Sequence, residues 1–179
     1  MRQVTQRLAA VGATPLIPLT RYTWKASTAL RVTLLPATTA TYSVEHTFDD
    51  PWLLRSLAFT RVTTTATFTL PAHQLANNDS VCLFPVAPLN AFVGDVGLTQ
   101  TSNLLTVAGA DTFTVPVVDA GPVEGTWGAV VCRMALHDVL FNQTASAQSN
   151  YEYPPGACRI RATAMTGAGL DFSVIQQGV

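Results

Sequence analysis

The sequence predicts an all-β chain, a β-sandwich or jelly roll with a second small β-module inserted between its halves. Three observations carry that expectation. Polar and apolar residues alternate strictly in several short runs, the period of a half-buried strand. No stretch of ordinary helix length shows apolar residues at helical spacing. Threonine, whose β-branch suits a pleated surface, occurs 25 times in 179 residues, often at alternating positions.

Taken in order, residues 1–20 read as an N-terminal arm. Pro15 and Pro18 favour an extended, uncapped path, with a short helical turn allowed over 4–11. Trp24 to Leu35 form the first strand, stopped by Pro36. Residues 39–48 form the second, with Ala40, Tyr42, Val44, His46 and Phe48 on one side and Thr39, Thr41, Ser43, Glu45 and Thr47 on the other. A short turn makes the pair a hairpin. Residues 52–59 break the pattern and read as a connection with a short helix. Thr60 to Leu70 resume alternation as one strand, Val62, Thr64, Ala66, Phe68 and Leu70 facing one way and Arg61, Thr63, Thr65, Thr67 and Thr69 the other.

Gly121-Pro122 and Gly125 punctuate the middle of the chain. Trp127 to Met134 form an apolar strand with Val131 and Met134 as core. Residues 136–149 are polar and irregular, and 151–156 form a rigid turn. Two last strands place Cys158, Ile160, Ala162 and Ala164, then Leu170, Phe172 and Val174, on apolar faces. The turn Thr166-Gly167-Ala168-Gly169 joins them as a hairpin. The expected division is an arm over 1–20, a discontinuous sandwich from 21–56 and 132–179, and an inserted module over 57–131.

Bulk composition narrows the function. Only 12% of residues are charged while 48% are hydrophobic, so hydroxyls and amides supply much of the polar surface. A surface so short of charge suits a protein that ends in an assembly. The net charge is −1, the ten basic residues are scattered, and Lys25 is the sole lysine. No basic footprint for nucleic acid results. No apolar run approaches the length of a membrane span, and no secretory signal pattern precedes Pro15. Cys82, Cys132 and Cys158 lack metal-ligand spacing and sit among apolar neighbours, as buried reduced thiols do.

Two sets of residues resemble a known group of proteins. The strand 39–48 closed by Asp49-Asp50-Pro51, then Asn150-Tyr151-Glu152-Tyr153-Pro154, Ala157-Cys158-Arg159-Ile160-Arg161 and Ser173-Val174-Ile175-Gln176-Gln177-Gly178, resemble segments of small virion proteins of tailed bacteriophages. Between them, Thr64–Thr69, Ala72-His73-Gln74-Leu75, Asn77-Asn78-Asp79-Ser80-Val81 and Asp111-Thr112-Phe113-Thr114-Val115 are similar to a small β-module of phage structural proteins. That module has glycine where this chain has Gln74 and Asn78, and an Asn-Gly where Asn90-Ala91 stand here. The resemblance implies a capsid decoration or cement protein, non-enzymatic and without cofactor, assembled in the host bacterial cytoplasm. Its partners would be the major capsid protein and copies of itself, with no nucleic acid and no membrane. The arm would supply capsid grip and the module neighbour contact. The alternatives are a tail, neck or head-fibre component, or a glycan-binding sandwich using Tyr151 and Tyr153.

The residues that could carry chemistry have plainer explanations. His46 lies on an apolar strand face, His73 lies in the module's turn, and His137-Asp138 are merely adjacent. Three or four converging ligands make a zinc site, and no H-x-H, C-x-x-C or H-E-x-x-H spacing is present. Asp49-Asp50 could offer oxygens to calcium, or to turn amides where the strand ends. No nucleophile elbow, phosphate loop or dinucleotide fingerprint occurs. No catalytic, cofactor-binding or metal residue is assigned.

Overall fold

The computed structural model describes residues 2–19, 28–87, 103–117, 124–152 and 155–176. Regular structure among them is entirely β, all paired antiparallel. In chain order the strands are β1 (Arg2–Leu8), β2 (Gly12–Ala13), β3 (Ile17–Pro18), β4 (Thr28–Leu34) and β5 (Thr39–Thr47). Then come β6 (Leu54–Val62), β7 (Thr65–Thr69), β8 (Ser80–Ala87), β9 (Asn103–Leu104), β10 (Thr106–Gly109), β11 (Thr112–Pro116) and β12 (Glu124–Arg133). The last four are β13 (Ala135–Leu136), β14 (Ala147–Tyr151), β15 (Ala157–Thr166) and β16 (Leu170–Gln176). The chain divides into two compact units, Met1–Phe48 with Ala135–Val179, and Asp49–Met134. Those divisions fall eight residues before and three after the sequence-based ones at 56/57 and 131/132, because the stretch expected to leave the sandwich is already strand β6 of the second unit.

The first unit is a sandwich of two sheets, β1-β16-β4-β14 and β13-β5-β15-β2, with β3 also on β15. Leu30, Val32 and Phe172 from one sheet meet Tyr42, Val44 and Ile160 from the other, all buried. These side chains are the ones that alternation assigns to apolar faces. Their strands, however, do not form the expected hairpins. β4 pairs with β16, and β5 with β15, so each apparent hairpin is an arch that crosses from one sheet to the other. In a hairpin the two apolar faces would lie side by side, whereas in an arch they face each other across the core. Alternation is the same in both.

The two arches lock at one end of the sandwich. Leu35 N donates to Gly169 O at 3.0 Å, and Gly169 N donates to Thr38 Oγ1 at 3.1 Å. Gly167 and Gly169 stand at φ +91° and +103°, and a side chain on them would strike the carbonyls of Ala37 and Leu8 respectively. Within β15 the register shifts between Ala162 and Ala164, so Met165, not Ala164, packs against the core.

The N-terminal segment is extended and packs on its own unit, and its described residues hold no helical turn. β1 pairs with β16 over seven residues, Arg2 opposite Gln176 to Leu8 opposite Leu170. β2 and β3 then pair with β15 in the other sheet, and Ile17 and Leu19 are buried. The prolines do give an extended path, but its partner strands come from the far end of the sequence. Residues 20–27 lie outside the described residues, so only 28–34 of the strand expected over 24–35 is seen.

The second unit is one seven-stranded sheet, β10-β11-β7-β6-β12-β8-β9, folded around its own core. From Leu54 on, the segment expected as a connection with a helix belongs to β6, where Leu57 and Phe59 are buried. The single strand expected over 60–70 is two strands, joined by a tight turn at Thr63-Thr64. Ala66, Phe68 and Leu70 are buried as expected, but before the turn the facing is reversed: Arg61 is 9% exposed and Val62 73% exposed. Thr63 adopts φ +50°, unusual for a β-branched residue, and Arg61 Nη1 donates to its carbonyl at 2.8 Å.

Gln74 and Asn78, which stand where the resembling module has glycine, sit at φ +54° and +68°. Asparagine tolerates this region, but glutamine does so at a cost near 1 kcal/mol. Gln74 is exposed. Replacing Gln74 by glycine should therefore raise stability by a few tenths to about 1 kcal/mol, the gain being reduced by the freer unfolded chain. Urea titration of the two proteins checks this; an unchanged or lower midpoint would count against strain at the turn. Asn90 lies outside the described residues.

Candidate functional site

Two of the three histidines are turn staples with the same bonding. His73 Nδ1 accepts from Leu75 N at 2.9 Å, and its Nε2 lies 3.2 Å from Gly109 O. His137 Nδ1 accepts from Val139 N at 3.1 Å and Leu140 N at 3.3 Å, with Nε2 at 3.3 Å from Asn150 O. Backbone amides donating to Nδ1 place the proton on Nε2 and leave neither ring a free acceptor for chemistry.

The Asp-Asp-Pro turn is likewise engaged. Asp49 accepts from the Arg133 amide at 2.6 Å and the Arg133 guanidinium at 3.2 Å, while Asp50 Oδ1 accepts from Trp52 N at 2.9 Å. Asp49, Asp50 and Arg133 line a polar cavity of about 260 Å³ in the second unit, and His73 lines it too. Among the described residues no group of three or more His, Cys, Asp or Glu side chains could hold a metal ion. Cys82 and Cys132 lie opposite each other in the β8–β12 ladder, and all three cysteines are buried. Burial pushes the Cys158 thiol well above its ordinary range, so it stays protonated.

His46 is different. It lies near the end of β5, on the rim of a cleft of about 480 Å³ in the first unit. The cleft opens where the edge strands of the two sheets, β13 and β14, part. Aromatic rings form its wall. The His46 ring meets Phe48 and Tyr151 edge-on, each at 5.3 Å between centroids, and His137 lies 5.0 Å from Tyr151. Two buried polar atoms here have no hydrogen-bond partner among the described residues, His46 Nδ1 and Tyr151 Oη. Unpaired buried polar atoms are uncommon and costly.

The cleft's outer edge is apolar and exposed. Phe48, placed by alternation on the buried face, is 61% exposed, and Leu136 and Val139 are 46% and 59% exposed. Sequence reasoning passed over the last two because it treated 136–149 as uniformly polar. Four large apolar residues in that stretch, Leu136, Val139, Leu140 and Phe141, were the available signal. The segment is also less irregular than expected. His137 N, Leu140 O and Gln143 bond the backbone of Val44 and Tyr42, so it covers the free edge of β5. Tyr42 Oη donates to Ala145 O at 2.7 Å from inside the core, and burial pushes the phenol up to about 12. Tyr151 is buried and offers no exposed stacking face, and Tyr153 lies outside the described residues.

Burial lowers the His46 pKa from its ordinary 6.5, and nearby His137 lowers it further, against an opposing pull from Asp138. A base that binds its proton less well when folded gives stability that is complete above 6.5 and lost as pH falls below it. The thermal midpoint of the wild type should therefore drop more between pH 7.5 and 5.5 than that of His46→Gln. Parallel curves for the two proteins would refute the assignment.

Against the models of known protein families the sequence finds no match, and no curated protein is significantly similar to it.

Proposed function

We propose that this chain is a non-enzymatic virion structural protein of a tailed bacteriophage, which decorates the capsid and stabilises it by bridging major capsid subunits. The observation that carries the reading is the apolar surface of a charge-poor chain. Phe48, Val139 and Phe141 in the first unit, and Trp52, Leu54 and Val62 in the second, are all about half exposed or more. Exposed apolar area of this kind marks contact surfaces. At about 25 cal/mol per Å², modest contacts repeated over many copies sum to a large cohesion. Few ions need be stripped of water when such surfaces close. The resemblances of residues 39–51, 150–178 and 64–115 to phage structural proteins supply the particular shell. Because β1, β2 and β3 are paired within their own unit, capsid grip is ascribed to these apolar side chains and not to a free arm.

Copy number in purified particles tests the proposal. Quantitative mass spectrometry should find hundreds of copies per head, and heads stripped of the chain should break at lower temperature and regain resistance when it is added back. Six to twelve copies would favour the tail, neck or head-fibre reading, which the inserted module also supports. Absence from the particle would end both.

A further inference from the structure

We propose that the cleft beside His46 takes an arginine side chain presented by a partner protein. The inference concerns the cleft alone and does not depend on the capsid reading. Its rim carries two carboxylates, Asp138 and Glu152, and no lysine or arginine is among its described lining residues. Its wall is aromatic, with Phe48 exposed and Tyr151 and His46 behind it. An acidic rim on aromatic walls favours a planar cation, which stacks on rings and pairs with carboxylates together.

A third observation is independent of charge. Tyr151, 8% exposed, and His46 each keep a buried polar atom without a partner among the described residues, and both line this cleft. Both atoms are closed off from solvent, so the rings must turn to meet a ligand; a guanidinium, with five donors and no acceptor, then satisfies the Tyr151 oxygen and an unprotonated His46 Nδ1. A sugar could stack on the exposed Phe48 but brings no charge to set against the two carboxylates. A wholly apolar segment would leave the carboxylates and both orphan atoms unsatisfied. Phe48, Leu136 and Val139 then provide the apolar surround that contacts the stem and backbone of the partner segment.

The probe is a capped Gly-Arg-Gly peptide titrated into the full chain, with ring signals of His46 and Tyr151 followed by NMR. The citrulline peptide, equal in shape but uncharged, is the control. The arginine peptide should move both ring signals and bind roughly three- to fivefold more tightly than the citrulline peptide. Phe48→Ala and the pair Asp138→Asn/Glu152→Gln should each weaken it by about the same factor. All three side chains are exposed, so the remaining spectrum should report an intact fold. Equal binding of the two peptides would overturn the proposal, as would indifference to all these substitutions. No ring shift at tens of millimolar peptide would overturn it too. Copy number in virions is unaffected by any of these results, so the two proposals fail separately.

Discussion

Glu45→Leu, which keeps bulk but deletes the carboxylate, should destabilise the chain by about 3–5 kcal/mol. Glu45 and Arg159 are 2% and 1% exposed at the side chain, with Arg159 Nη2 at 2.7 Å and Nε at 2.8 Å from Glu45 Oε2. The two residues are directly opposite in the β5–β15 register, on the side of the sheet turned away from the sandwich core. Arg161 adds a longer contact, 3.4 Å, from a partly exposed position. Deleting Glu45 leaves the buried guanidinium without its carboxylate, and desolvation of that charge is then no longer offset. Replacing both partners, Glu45→Leu with Arg159→Met, removes the charge along with its counterion and should recover most of the loss. Urea unfolding of the two single variants and the double variant gives the coupling energy. If Glu45→Leu costs less than about 1 kcal/mol, or the double variant is no better than the worse single one, the pair is not acting as a buried ion pair.

Phe68→Ala should cost the second unit a similar amount, about 3–5 kcal/mol, for a different reason. Phe59, Phe68 and Phe113 are directly opposite one another across β6, β7 and β11. Phe68 is fully buried between them, its ring centroid 6.1 Å from Phe59 and 5.5 Å from Phe113. Alanine there opens a cavity that neighbouring strands cannot close, because the ladder fixes their spacing at close to 5 Å. Phe68→Leu, which fills most of the space, should cost about 1–2 kcal/mol. Amide exchange in β7 and β11 would report the loss locally. Equal stability of the alanine and leucine variants would show that the cavity collapses.

Much of the fold was legible wherever side-chain direction was the question. Leu170, Phe172 and Val174 were assigned inward and are buried, as are Tyr42 and Val44. Errors came where a turn or bulge changed the register inside a run that still looked continuous. Thr63-Thr64 split one apparent strand into two and turned Arg61 inward; the shift after Ala162 exchanged Ala164 for Met165. Threonine at a positive φ gives no local warning of such a turn, where glycine or asparagine would have. The candidate site was only partly readable. His46 and Tyr151 were singled out separately, but residues 105 apart in sequence gave no sign that their rings touch.

Alternation along each strand is a local property of the backbone, since successive side chains must point to opposite faces. The amino-acid order therefore settled the β class and most of the core residues. Partner choice is not local. Whether β4 and β5 make a hairpin or an arch, whether β1 finds β16, and whether Glu45 meets Arg159 depend on which segments close the core together. The same long-range closure set two sheet edges side by side and left Phe48, Leu136 and Val139 around a cleft instead of within a core. Burial and pairing are cooperative outcomes of the whole assembly of strands, and only the tertiary structure carries them.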